Sequence, residues 1–133
     1  MIVVDTNVIA YLWLPGPHTA SAERLLRQDP DWNAPLLWRS EFRSVLAGQV
    51  RRRRMTLATA VRIASEAESH LRGKEYGVSS AEVLHRAAES RCSAYDCEFV
   101  VLAEELGVPL VTSDEQVLRA FPVTTRRLGP PPV

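Results

Sequence analysis

Met1-Ile2-Val3-Val4-Asp5-Thr6-Asn7-Val8-Ile9-Ala10-Tyr11-Leu12-Trp13 opens the chain and carries the reading of its fold. Met1 to Val4 is a bulky apolar run without polar alternation, the pattern of a central parallel strand buried on both faces. Thr6 to Trp13 suits a helix that starts where the strand ends, and Leu14-Pro15-Gly16-Pro17 stops it. Asp5 stands between the two. A carboxylate placed where a buried strand surfaces gains nothing from packing and lies beside desolvating neighbours, so something must neutralise it.

Outward from this start, helical and extended patterns alternate. A helix is expected over about Thr19 to Arg27, then a short strand or extended link over Asn33 to Trp38. Phe42, Val45 and Leu46 recur at helical spacing and predict a helix from about Ser40 to Arg51. Glu41 lies in its first turn, where the helix dipole favours an acid. Leu57 to Leu71 reads as an amphipathic helix, and Tyr76 to Val78 as a brief strand. Ser79-Ser80-Ala81-Glu82 has capping-box form and opens a helix running through Ala88. Tyr95 to Leu106 is a further helix, closed by Gly107, with Asp96 leaning toward its buried face. Val108 to Thr112 is the second apolar strand, with Ser113-Asp114 at its exit. Glu115 to Ala120 closes as a short helix, and Val123 to Thr125 adds an edge strand. This alternation implies an α/β protein, a three-layer α/β/α sandwich around a mostly parallel sheet. Residues 1–128 are expected to form one domain, and the Pro-rich segment 129–133 a tail that continues neither helix nor ladder.

A chain of 133 residues can bury a core without metal or disulfide staples. Its 46% hydrophobic and 24% charged content excludes wholesale disorder. No apolar run approaches the roughly 20 residues of a membrane span. Asp5 and Asn7 interrupt the first apolar stretch and no basic region precedes it, so a signal peptide is not expected and the cytoplasm is. Cys92 and Cys97 lack metal or redox spacing and read as buried structural thiols. Net charge is zero, but Arg51-Arg52-Arg53-Arg54 is a concentrated basic block, either a solvated helix end or a contact for phosphate. His18, His70 and His85 adjoin no acid motif and read as surface residues. Trp13, Trp32 and Trp38 suit packing or an interface, with Trp13 or Trp38 as possible dimer anchors.

The chemistry lies in the acids. In such sheets ligands bind outside the carboxyl ends of the strands, where Asp5 and Asp114 fall. Asp5-Thr6-Asn7 and Thr112-Ser113-Asp114-Glu115 each put acid, hydroxyl or amide oxygens in one turn. Each alone reads equally as an N-cap. Asp96 and Glu41, near helix starts, carry the same ambiguity. Four acids at one edge of a sheet are harder to explain as caps, because carboxylates sharing a cleft repel unless a proton or cation lies between them. Oxygen donors without Cys or His point to Mg²⁺ or Mn²⁺. A hard cation of this kind suits phosphodiester hydrolysis by water.

Met1 to Val8, Arg39-Ser40-Glu41-Phe42-Arg43-Ser44-Val45-Leu46, Tyr95-Asp96-Cys97-Glu98-Phe99-Val100-Val101-Leu102-Ala103 and Leu110-Val111-Thr112-Ser113-Asp114 together resemble the PIN-domain ribonucleases. More narrowly, they resemble VapC-type toxins of bacterial toxin–antitoxin pairs. The resemblance spans about residues 1 to 125. It implies that Asp5, Glu41, Asp96 and Asp114 are metal-binding catalytic acids, with Thr6, Asn7, Thr112 and Ser113 orienting them or a water. Glu115 is an alternative for the fourth acid. The resemblance further implies Mg²⁺- or Mn²⁺-dependent endonucleolytic cleavage of RNA such as tRNA or rRNA, leaving a 5′-phosphate and a 3′-hydroxyl. It also implies a homodimer and a cognate antitoxin that silences it; Arg51, Arg52, Arg53 and Arg54 would contact RNA or antitoxin.

Two rivals remain. A phosphate-transfer domain also places an Asp after its first strand, but a haloacid-type phosphatase wants a second Asp where Asn7 stands. A receiver-like site wants a lysine after a late strand, and Lys74, the one lysine, sits far from any confident strand. A degenerate PIN-like binding module would be marked by lost acids, and all four are present.

Overall fold

The computed structural model describes residues 1–130; of the tail expected at 129–133, residues 131–133 lie outside the described residues. In chain order the elements are β1 (Ile2–Val4), α1 (Thr6–Trp13), α2 (Thr19–Gln28), β2 (Trp32–Pro35), α3 (Trp38–Arg51) and α4 (Leu57–His70). They continue with β3 (Glu75–Tyr76), α5 (Ser80–Ala88), α6 (Ala94–Leu106), β4 (Leu110–Thr112), α7 (Glu115–Ala120) and β5 (Thr125–Arg127). The sheet order is β3-β2-β1-β4-β5, and every pairing is parallel. β1 is therefore central and wholly buried, as its unbroken apolar sequence requires.

From β1 the chain steps to β2 and β3 through α1–α4, then crosses back to β4 and on to β5. Parallel crossovers keep a right hand, so opposite directions of travel put helices on opposite faces. Accordingly α1, α2, α3 and α4 pack among themselves, while α5 packs on α6. The α/β/α expectation holds, with a sheet parallel throughout. α6 buries Cys97, Phe99, Val100, Val101, Leu102 and Ala103, more than one face of a helix. It can do so because β1, β2 and β4 lie against it on one side and α5 on another.

Several boundaries differ from the sequence expectation. β2 ends at Pro35 and α3 begins at Trp38, because the amides of Arg39 and Glu41 already bond the carbonyls of Leu36 and Leu37. Trp38 is fully buried and its indole Nε1 donates to Glu75 Oε2 at 2.7 Å, so it cannot anchor a dimer. β3 is Glu75–Tyr76, set by its pairing with Ala34 and Pro35, and does not reach Val78. β5 starts at Thr125, where register with Leu110 begins; Val123 is 98% exposed. Ser79 caps α5 by accepting from the Glu82 amide, and the reciprocal capping box forms instead at Ser93 and Asp96.

Glu75 ties three elements together. It accepts from Trp38 Nε1, from Arg39 Nε at 2.6 Å and from Arg39 Nη2 at 2.8 Å, while Arg39 Nη1 reaches Glu68 on α4. The hydrogen bond from Arg39 chiefly holds the Glu75 carboxyl below its ordinary value of 4.5. A depressed carboxyl adds stability that is complete above that ordinary value and disappears as pH falls through the folded one. Glu75→Ala is expected to cost about 2–4 kcal/mol at pH 7, because it leaves an indole N–H and a guanidinium without partners. Urea unfolding at pH 7 and below pH 4 measures this, and the penalty should shrink in acid.

Candidate active site

β1 and β4 are neighbours, yet the chain leaves them toward opposite sides of the sheet. A crevice opens at such a switch point beyond the strands' carboxyl ends, and both strand exits carry an acid there. Asp5 caps α1, its Oδ1 accepting from the Thr6 amide at 2.8 Å. Its Oδ2 accepts from the Thr112 hydroxyl at 2.7 Å. The same Thr112 oxygen accepts from the Asp114 amide at 3.0 Å. Thr6 Oγ1 donates to Glu41 Oε1 at 2.7 Å, bringing in the first turn of α3. Thr112 thus links Asp5 to Asp114 through its hydroxyl, and Thr6 links Asp5 to Glu41 through its amide and its hydroxyl; both threonines are buried.

Asp114 caps α7 through Oδ1, which accepts from the amides of Gln116 and Val117 at 2.8 and 3.2 Å. Asp96 closes the Ser93 capping box, its Oδ2 accepting from the Ser93 amide at 3.3 Å. Capping and clustering are therefore both true of Asp5, Asp96 and Asp114. Together they line a cleft of about 420 Å³ with Thr6, Asn7, Glu41, Ser44 and Val45. Among the described residues, no Arg, Lys or His lines it.

The electrostatics follow from that lining. Burial pushes the Asp5 carboxyl up to about 6, against the bonds from Thr112 and Thr6, and the charges of Glu41 and Asp96 add to the rise. Glu41 is raised by burial and then by Asp96, while its bond from Thr6 opposes the shift. Glu98 is raised by burial and by Glu41. Among the described residues, no cationic side chain lines the cleft to relieve the repulsion. Asn7 Oδ1 is buried without a hydrogen-bond partner among the described residues.

These features suit a hard divalent cation: oxygen donors only, unrelieved negative charge, and an orphaned amide oxygen. As the side chains stand, no three acids among the described residues form a ready ligand set. Capping explains this, because Asp96 and Asp114 direct oxygens at backbone amides. Ligation would require each to turn an oxygen inward, and an Asp cap costs only about 1 kcal/mol to give up.

Of the other residues singled out from sequence, Thr6 and Asn7 line the cleft and Thr112 lies beneath it. Ser113 does not line it, and Glu115 is turned away, bound by Arg127 Nη2 at 2.9 Å. Arg51 to Arg54 are exposed at the far end of α3, about 15 Å along the helix axis from Glu41 at 1.5 Å per residue. Arg53 there adopts φ 58°, in the left-handed region. Cys92 and Cys97 are free and buried, as expected. Ser44 and Val45 were not anticipated as part of the site, although they follow Glu41 by three and four residues and so share its helix face.

The PIN domain family matches residues 2–122. Ribonuclease VapC3 of Pyrobaculum aerophilum is 30% identical over 125 residues, covering 91% of this chain and 95% of that protein. In three dimensions the chain is similar to PAE2754 from Pyrobaculum aerophilum, with TM-score 0.75 and 23% identity, covering 96% of this chain and 83% of that one. FitAcB from Neisseria gonorrhoeae is similar at TM-score 0.74 and 17% identity, covering 94% of this chain and 96% of that one. FitAB bound to an IR36 DNA fragment gives TM-score 0.72 at 18% identity, over 96% and 94% of the two chains. The strand exits, their acids and these matches agree: the chain belongs to the PIN domain family, as a relative of the VapC ribonucleases.

Proposed function

We propose that this protein is a Mg²⁺- or Mn²⁺-dependent endoribonuclease, the toxin of a type II toxin–antitoxin pair, with Asp5, Glu41, Asp96 and Asp114 as its metal-holding, catalytic acids. The observation that carries the reading is the cation-free cleft onto which all four converge from distant parts of the chain. The likeness to Ribonuclease VapC3 supports the activity class. Asp114 takes the fourth place because Glu115 is engaged by Arg127.

When bound, the cation would make water a better nucleophile at neutral pH and offset charge on the phosphate and the departing oxygen. The chain's own groups supply the positioning. Thr112 and the Thr6 amide fix both Asp5 oxygens, leaving their remaining lone pairs for the cleft. Thr6 fixes one oxygen of Glu41 in the same way. Asn7 Oδ1, buried without a partner among the described residues, would accept a hydrogen bond from the attacking water once its amide turns toward the cleft. Water attacks phosphorus in line, the P–O3′ bond breaks, and the products carry a 5′-phosphate and a 3′-hydroxyl. Structured RNA such as tRNA or rRNA is the substrate class in this reading.

A cognate antitoxin fits a second surface. Between α3 and α4 runs an apolar groove of about 350 Å³, lined by Leu46, Val50, Leu57 and Val61 and flanked by Arg43 and Arg51. Leu57 and Val61 are 68% and 61% exposed, and contiguous apolar surface of this kind marks a protein contact. The Arg51–Arg54 block would then face acidic side chains of the antitoxin or RNA phosphates. We further infer a homodimer acting in the cytoplasm through one domain, residues 1–128; among the described residues no helix is long and apolar enough to cross a membrane. Incubating the purified protein with tRNA and rRNA in Mg²⁺, Mn²⁺ or EDTA tests the reading. Cleavage with metal and intact RNA in EDTA are expected; RNA intact under every condition favours the PIN-like binding module.

A further inference from the structure

Among the described residues, no Arg, Lys or His lines the acid cleft, while the affinity of an RNA strand depends on cations beside its phosphates. One strand over, the chain provides them. β5 pairs with β4 so that Arg127 stands level with Thr112, whose hydroxyl lies 2.7 Å from Asp5. Neighbouring strands are about 4.8 Å apart, so the backbone of Arg127 borders the site. Beyond it, Ser21, Arg24 and Gln28 of α2 and Arg126 and Arg127 of β5 line a cavity of about 250 Å³.

Arg24 and Arg126 bring their guanidiniums to this cavity and one carboxylate, Asp29, lines it with them, whereas the Arg127 side chain leaves the opposite face of β5 toward Glu115. Arg126 reaches Asp29 at 3.2 Å, Arg24 donates to the carbonyl of Pro130 at 2.8 Å, and Arg127 is held by Glu115. Each guanidinium has five N–H donors, so these bonds leave several free. Ser21 supplies an independent sign of a ligand. It is only 4% exposed, and its buried hydroxyl has no hydrogen-bond partner among the described residues. A serine inside a helix commonly bonds back to the preceding turn, and this one does not.

We propose that this cavity seats a backbone phosphate of the RNA strand whose scissile linkage lies in the acid cleft. Arg24 and Arg126 are its charge contacts, and the buried Ser21 hydroxyl beneath them turns outward to donate to it. The inference rests on the nuclease reading. It makes Arg24 and Arg126 substrate-positioning residues, outside the chemistry itself.

The test compares binding of a 12-nucleotide oligouridylate and of the dinucleotide UpU, in Ca²⁺ in place of Mg²⁺ so that RNA is held without being cut, by the otherwise wild-type protein with and without Arg24→Gln plus Arg126→Gln. The 12-mer should bind about tenfold more weakly after the double change, and its log K against log[salt] slope should fall by about 0.7 per lost phosphate contact. UpU binding should not change, and Arg126→Lys should keep the slope. In otherwise wild-type protein, the double change should raise KM for long RNA and leave kcat within twofold. Equal 12-mer affinity and slope would overturn the inference, as would loss confined to inorganic phosphate binding, which would mark a free-anion site. Cleavage by wild-type protein that is indifferent to both arginines would sink this inference alone; RNA never cut in metal would sink the nuclease reading.

Discussion

Asp5→Asn is expected to lower metal-dependent RNA cleavage by on the order of a thousandfold or more while stabilising the metal-free protein. Asparagine is as good an N-cap as aspartate, so α1 keeps its start. What goes is a charge that burial, Glu41 and Asp96 all oppose. Because the folded carboxyl sits at about 6 against an ordinary 3.8, folding favours its protonated form. That contribution is complete below about pH 4 and is lost as pH rises through 6. The difference corresponds to roughly 3 kcal/mol at pH 7 as an upper bound. The Thr112 hydroxyl must find a new arrangement beside the amide, so a net gain of about 1–2 kcal/mol is expected. Thermal melts in EDTA measure it. The variant should melt higher than wild type at pH 7.5, and the two should converge near pH 4. A variant that melts lower at pH 7.5 would make Asp5 architectural.

The second large effect is the response to metal. A cation that binds only the assembled cluster stabilises the folded state by about 2.7 kcal/mol at a hundred times its dissociation constant. For a domain of this size that is a rise of about 10 °C in melting temperature. Mn²⁺ should act at least as strongly as Mg²⁺, since the same oxygens prefer it. Protons compete for these carboxylates, so the rise should shrink at pH 5. Asp5→Asn and Glu41→Gln should each remove most of it. A wild-type melting temperature indifferent to millimolar Mn²⁺ would remove the reason for the acids to converge.

How much of this was legible in the sequence depended on whether the cause was local. β1 and β4 could be read because both are unbroken apolar runs buried on two faces, and the acids after them because polarity changes there abruptly. β3 could not be read well. Glu75 and Tyr76 are a strand only because Ala34 and Pro35 lie alongside. β5 was misplaced for the same reason, its register being set by β4. The choice between cap and cluster was undecidable from sequence because Asp5, Asp96 and Asp114 do both. The bonds that join the acids span 35 residues from Thr6 to Glu41 and 107 from Thr112 to Asp5, distances over which no local pattern speaks. Glu115 looked interchangeable with Asp114 until Arg127, twelve residues later, was found to hold it. The Arg51–Arg54 block drew notice as a run of charge, while Arg24, Arg126 and Arg127, which meet at one cavity from opposite ends of the chain, drew none.

The central claim is that four carboxylates gathered from separate stretches of chain jointly hold a divalent cation. Anomalous diffraction from crystals grown with Mn²⁺ tests it most directly. The account predicts a Mn²⁺ peak in the cleft ringed by oxygens of Asp5, Glu41, Asp96 and Asp114, absent from Asp5→Asn crystals. A cleft without manganese while the ion occupies other carboxylates of the same crystal would contradict it.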